Sequence, residues 1–213
     1  MRILLILIFT ILIQKESVCQ VEPYLAAILK YNESSDFEDE KYLDYDWQSF
    51  QKLDIVNDLV DPMNYDSDLM NAAMFFALNK YRQSKVLKPL DYEPRLRDAS
   101  MIHSHQMVAR NFFDHTNPYD RKVRFPNERM ELCGYKGEHI AENVARIFVN
   151  MRDLPTYWQL AEKNIKILAQ SRDHNKHMID SKYTQLGCGL LFENKNTDGI
   201  IYFRTTHCFG KSW

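Results

Sequence analysis

Glycine is scarce: the 213-residue chain has only 6. Loops that cradle phosphate on bare backbone amides have little material, and no GxGxxG or Walker-type run occurs. Charge of one sign is missing too. With a formal net charge of −2, the chain offers no electrostatic footprint for nucleic acid or an anionic membrane surface. Beyond the first segment no apolar run is long enough to span a bilayer, and no internal repeat occurs. No serine or cysteine has an obvious base beside it, which removes the simplest nucleophilic hydrolases. Cysteine is sparse, at 4.

What is present begins with MRILLILIFTILIQKESVCQ. A positive start (Arg2), an apolar stretch from Ile3 to Ile13 and small residues at Ser17 and Cys19 have the layout of a secretory signal over residues 1–19. The alternative is a membrane anchor, but the apolar run is about half the roughly 20 residues that cross a bilayer. Export would permit disulfides and glycosylation. Cleavage after Cys19 leaves Cys133, Cys188 and Cys208, an odd number. Cys188 and Cys208 flank an expected hairpin and are the expected pair, with Cys133 as competitor. Asn32-Glu33-Ser34 is a glycosylation sequon at Asn32, short enough to occur by chance.

Residues 20–66 form an acidic extension, NESSDFEDEKYLDYDW at its centre. Composition reads it as a solvated, weakly ordered leader. The alternative is a prosegment or partner-binding arm whose Tyr42, Tyr45, Trp47 and Phe50 dock on the domain. Residues 67–213 carry the periodic signals. Ser67 can cap a helix in which Leu69, Ala72, Ala73, Phe76 and Asn79 repeat, with Arg82 beyond. Lys88-Pro89-Leu90 ends that pattern. A second helix is expected from about Arg95 to Arg110; its stripe of Leu96, Ala99, His103 and Met107 makes His103 a hydrogen-bonded core residue. Residues 111–138 read as loop. A third helix is expected over Leu154 to Ala169, then strands Leu186 to Phe192 and Ile200 to His207 joined by ENKNTDG. A domain of about 145 residues buries enough surface to need no disulfide.

Three separated segments hold the polar residues with chemistry: FFDHTNP, EHIAENVA and SRDHNKHMI, with His115, Glu142 and His174. Two imidazoles and a carboxylate converging on one cavity can bind a divalent cation such as zinc, or serve as acid and base. They can also simply hydrogen-bond one another and hold loops together. His174 and His177 at i and i+3 could share a metal on a helix, but His177 reads as a neighbour of the site or a surface residue.

The order of these segments resembles the CAP superfamily (cysteine-rich secretory proteins, antigen 5 and pathogenesis-related proteins), in its short bacterial-type branch, the SCP domain. Asn79-Lys80-Tyr81-Arg82, KPLDYEPRL, FFDHTNP, Phe125 and Arg129, Gly134-Tyr135, Ala141-Glu142-Asn143-Val144, SRDH, YTQLGCG and Cys208-Phe209-Gly210 carry the likeness over about two-thirds of the chain. It implies an α+β fold: a three-layer α-β-α sandwich with a small antiparallel sheet. It implies a cavity lined by His115, Glu142 and His174. The family's second acidic position falls near Ser171, with Glu162 as a remote substitute. Asn79, Arg82, His103 and Asn143 take structural positions. The function implied is a secreted, non-enzymatic binding protein for a lipid, sterol or extracellular protein partner, whose cavity can hold a divalent cation, zinc or magnesium. The alternatives are a cation-dependent, protease-like hydrolase using the same residues, and a signalling ectoprotein whose acidic leader is the active part.

Overall fold

The computed structural model describes residues 22–27, 35 and 37–212, with backbone alone at 194–197. The signal segment 1–19 and the sequon at Asn32 lie outside the described residues. Four strands and six named helices follow in chain order: α1 (Trp47–Phe50), α2 (Ser67–Ser84), β1 (Asp91–Tyr92), α3 (Pro94–Ala109), α4 (Pro126–Leu132), β2 (Glu138–Asn150), α5 (Tyr157–Gln170), α6 (Arg172–Met178), β3 (Gln185–Thr197) and β4 (Ile200–Lys211). The sheet order is β1-β3-β4-β2. Strands β3, β4 and β2 are antiparallel, and the two-residue β1 joins β3 in parallel. Helices α3 and α4 cover one face of this sheet; α2, α5 and α6 cover the other. The α-β-α sandwich expected from the sequence is the architecture found.

Local chemistry explains the boundaries. Asp66, not Ser67, caps α2, accepting from the Leu69 amide, while Ser67 is itself buried in the first turn. Pro94 opens α3, where its missing N–H costs nothing, and Glu93 accepts from the Arg95 amide. Thr156 and Gln159 form a reciprocal capping box at α5. The β3–β4 turn is the dipeptide Asp198-Gly199, both at positive φ (54° and 80°), the backbone of a tight hairpin turn. Both strands therefore run further than expected.

The LGCG segment sets the contact between β3 and α3. Gly187 and Gly189 face the helix two residues apart on the strand. A Cβ at Gly187 would overlap the Leu96–Arg97 backbone, and one at Gly189 the Ser100–Met101 backbone. Strand period 2 thus meets helix period 4 in close apposition. Ser100 and Ser104 seal the contact, donating to the Gly187 and Gly189 carbonyls at 2.9 Å each.

The same alternation overturns the expected disulfide. Cys188 lies opposite His207, and Cys208 opposite Gly187. Opposed residues share a face and successive ones do not, so Cys188 joins the core under α2 and α5 while Cys208 packs with Leu96, Ala99 and Tyr135 beneath α3. Cys133, Cys188 and Cys208 are all free thiols.

The acidic extension is not a solvated leader from residue 37 onward. Phe37, Tyr42, Phe50, Val56 and Val60 are buried in the same hydrophobic cluster as α2, α5 and the sheet. Phe50 stacks on Phe76 at 4.3 Å between centroids, and Tyr42 on Tyr92 at 3.6 Å. The acids lie on the outside or find partners: Asp39 accepts from the Tyr92 hydroxyl at 2.6 Å and pairs with Arg97. Further upstream, Tyr24 and Leu25 pack against Met101, Ile102 and Val123, and the Tyr24 hydroxyl donates to Asp120 at 2.6 Å. Among the described residues no helix is long and apolar enough to cross a membrane.

Candidate functional site

The polar cluster sits on β2 and the elements around it. Glu142 faces α3 and α4 and is only 5% exposed. Its Oε1 accepts from His115 Nδ1 at 2.8 Å, and its Oε2 accepts from Arg129 Nη2 at 2.6 Å. His103 Nε2 stands 3.8 Å from Oε1 and donates to the Asp114 carbonyl at 2.9 Å. Arg129, fully buried on α4, also donates to the carbonyls of Val123, Arg124 and His115. One guanidinium thus holds the loop that carries His115 at three points. Arg129 belongs to the segments that carry the family likeness, but its role as counter-ion was not read from sequence. The signal was present: a buried glutamate requires a cation, and PNERMEL offers one inside an otherwise short amphipathic turn.

Electrostatics follow from this geometry. Burial alone would push the Glu142 pKa up; His103, His115 and Arg129 overcome it and hold the carboxylate below its ordinary range. The hydrogen bond to Glu142 raises the pKa of His115, which is half-exposed. His103, with no exposed surface, is pushed down to about 4 by burial. Its ring is buried in the core and hydrogen-bonded to the Asp114 carbonyl.

His174 comes to the same neighbourhood from the other face of the sheet. Burial, with the nearby His115 adding to it, holds its pKa down. Asn143 is fully buried; it donates to the His174 carbonyl at 3.0 Å and accepts from His177 Nδ1 at 2.9 Å. His177 therefore positions α6 through Asn143. Ser171 is not a fourth corner of a ligand set, because its hydroxyl caps α6 by accepting from the His174 amide at 3.4 Å. Glu162 lies elsewhere, paired with Lys80 at 2.6 Å between α2 and α5. Asn79 exchanges two hydrogen bonds with the Leu90 backbone, and Arg82 donates to the carbonyls of Lys88, Met178 and Asp180. Both side chains thus tie separate backbone segments together.

The donor set as folded does not fit a three-ligand cation site. Both Glu142 oxygens are engaged, one of them by a guanidinium whose charge repels a metal ion. Among the described residues no three His, Cys, Asp or Glu side chains form a group able to hold a metal. Ser100 and Ser104 donate to backbone carbonyls, and burial pushes the thiol of Cys208 up to about 12 and that of Cys188 well above its ordinary value.

Comparison with known proteins agrees with this architecture. The model of the cysteine-rich secretory protein family, CAP, matches residues 75–206. The YkwD protein of Bacillus subtilis, itself uncharacterized, is 26% identical over 113 residues, 53% of this chain and 39% of its own length. The chain thus spans about two-fifths of that relative. An extracellular SCP-domain protein of Bacillus anthracis superposes with a TM-score of 0.54 at 19% identity, over 72% of this chain and 44% of that one. An outer surface protein of Borrelia burgdorferi gives 0.51 at 16% identity, over 74% and 99%. With the sandwich, the Glu-Asn pair on β2 and the paired glycines of β3 all in place, the chain belongs to the cysteine-rich secretory protein (CAP) family.

Proposed function

We propose that this protein is an extracellular, non-enzymatic binding protein that takes an amphiphilic lipid on its surface and uses its His/Glu cluster to hold the fold. The observation that carries this reading is the saturation of Glu142. A carboxylate shared between a buried arginine and a histidine, with its pKa held low, is poorly suited to take a proton from water. The extracellular location of the relatives supports the same setting for this chain.

The surface that suits an amphiphile is the groove of about 280 Å³ between α2 and α5. Ala77, Tyr81, Ile165 and Ala169 provide an apolar floor; Lys166 and the ion pair of Lys80 with Glu162 are the charged groups that line it. That volume lies just below the range of small-molecule sites, which begins at about 300 Å³, so it suits one acyl chain better than a fused-ring sterol. Lys166 matches an anionic headgroup.

Native mass spectrometry of the protein incubated with a fatty acid tests this. Retention of one acyl chain is expected, unchanged by His115→Ala and His174→Ala and lost with Ala169→Trp at the groove. No retained lipid in the wild-type protein removes the proposal. The hydrolase reading makes the opposite demand: turnover that is lost with a chelator and with Glu142→Ala.

A further inference from the structure

The docked extension creates a second cleft, where its residues meet α2 and β1. It encloses about 300 Å³, the size at which small-molecule sites begin. Tyr45 and Trp47 line it from the extension and Pro89, Leu90 and Tyr92 from the other side, with the buried Tyr42, Phe75 and Phe76 packed beneath, Tyr42 stacked on Tyr92. The polar residues around it are unbalanced in charge. Asp46 and Asp91, both exposed, line the cleft, while no lysine, arginine or histidine does so among the described residues.

We propose that this cleft binds a small organic cation with an apolar body, such as an aralkyl ammonium. Aromatic faces attract cations through their quadrupole, and carboxylates at the mouth add the net charge that a neutral apolar ligand would not use. Neither feature alone would select this ligand. Aromatic walls alone suit any apolar molecule, and two surface aspartates alone are ordinary.

Two local details fit. The Asp46 carboxylate caps α1 and receives the Ser49 amide and hydroxyl, both at 2.8 Å and both on Oδ1, which fixes the group in place. The Trp47 indole is likewise fixed, donating to Gln83 Oε1 at 2.6 Å. The Trp47 ring already accepts a cation in the fold: the Lys80 ammonium stands 5.2 Å from its centroid, tied to Glu162 and shared with Trp158. Neither Lys80 nor Trp158 lines the cleft. This site shares no lining residue with the α2–α5 groove and stands apart from the His/Glu cluster, so the lipid proposal can fail without affecting it.

Isothermal titration of the folded chain at low salt with three probes of closely similar size and shape tests the proposal: 3-phenylpropylammonium, 3-phenylpropanol and 3-phenylpropionate. The ammonium should bind at least about tenfold more tightly than the alcohol, and the carboxylate most weakly. Asp46→Asn/Asp91→Asn should reduce the preference for the ammonium to about that of the alcohol; asparagine preserves the cap on α1. If circular dichroism shows the double variant unfolded, Asp91→Asn alone carries the test, because that side chain is exposed and caps nothing. Equal binding of all three probes, no binding of the ammonium, or a preference untouched by the folded variant each overturns the proposal.

Discussion

Glu142 and Asn143 are consecutive on β2 and hold opposite faces of the sandwich. Glu142 reaches Arg129 and His115 beside α3 and α4, and Asn143 reaches His174 and His177 on α6. A strand turns successive side chains to opposite sides, so two adjacent polar residues can clamp two layers. The pair therefore looks like a single motif in sequence and acts at two places in space.

Arg129→Ala should destabilise the protein by about 3–5 kcal/mol in urea unfolding, because it strips the buried Glu142 carboxylate of its guanidinium partner and leaves it only the hydrogen bond from His115. Replacing both partners, as Arg129→Met with Glu142→Gln, should cost clearly less than the two single changes added together. Strictly additive losses would show that the pair is uncoupled. A chelator should leave the melting temperature of the wild-type protein unchanged.

Acid should weaken the fold before the carboxylates titrate. His103 and His207 are buried neutral, with pKa values pushed down to about 4 and about 3 by burial. In the unfolded chain both protonate near their ordinary value, so their contribution is complete above about pH 6.5 and is lost as pH falls below it. His115 works in the opposite sense: its raised pKa adds stability at low pH that fades as pH rises through the folded value. Two strongly depressed histidines outweigh one raised histidine, so the melting temperature should fall steadily from pH 6.5 towards pH 4. His207→Asn should flatten that slope. A profile level across this window would refute the assignment.

Phe50→Ala should cost about 3–5 kcal/mol, as truncation of a fully buried aromatic does. The residue lies outside the family match, in the stretch whose composition suggests disorder. A loss of unfolding free energy below about 1 kcal/mol would mean that the extension is not docked in solution.

Cys188 and Cys208 should resist iodoacetamide in the native protein and react after unfolding, without prior reduction, since they face opposite sides of the sheet. Gly189→Ala should be destabilising by about 1–3 kcal/mol or more, because a Cβ there meets helix backbone that cannot rotate away.

The long helices were legible because their apolar residues recur at intervals of three and four, and Asn79, Arg82 and the three cluster residues were legible from motif order. What escaped has physical reasons. Strand β2 buries Glu142 and Asn143 in mid-run, which breaks the apolar alternation that marks a strand, and from Arg146 to Asn150 burial alternates only because the apolar Phe148 is exposed. Helix α4 has 7 residues, too few for periodicity to show. Arg129 became important only through a contact with a residue 13 positions away. The extension misled because its acids outnumber its aromatics: net charge described its outer surface, while Phe37, Tyr42 and Phe50 decided its fate.

The family match opens at residue 75, part-way along α2, and so passes over Leu69, Met70, Ala72 and Ala73 as well as the buried aromatics before them. A fragment cut at the limits of recognisable likeness would begin with half a helix and an uncovered core. The unit that can be expressed, crystallised or grafted reaches back at least to Phe37, and the aromatic cleft exists only in that longer unit.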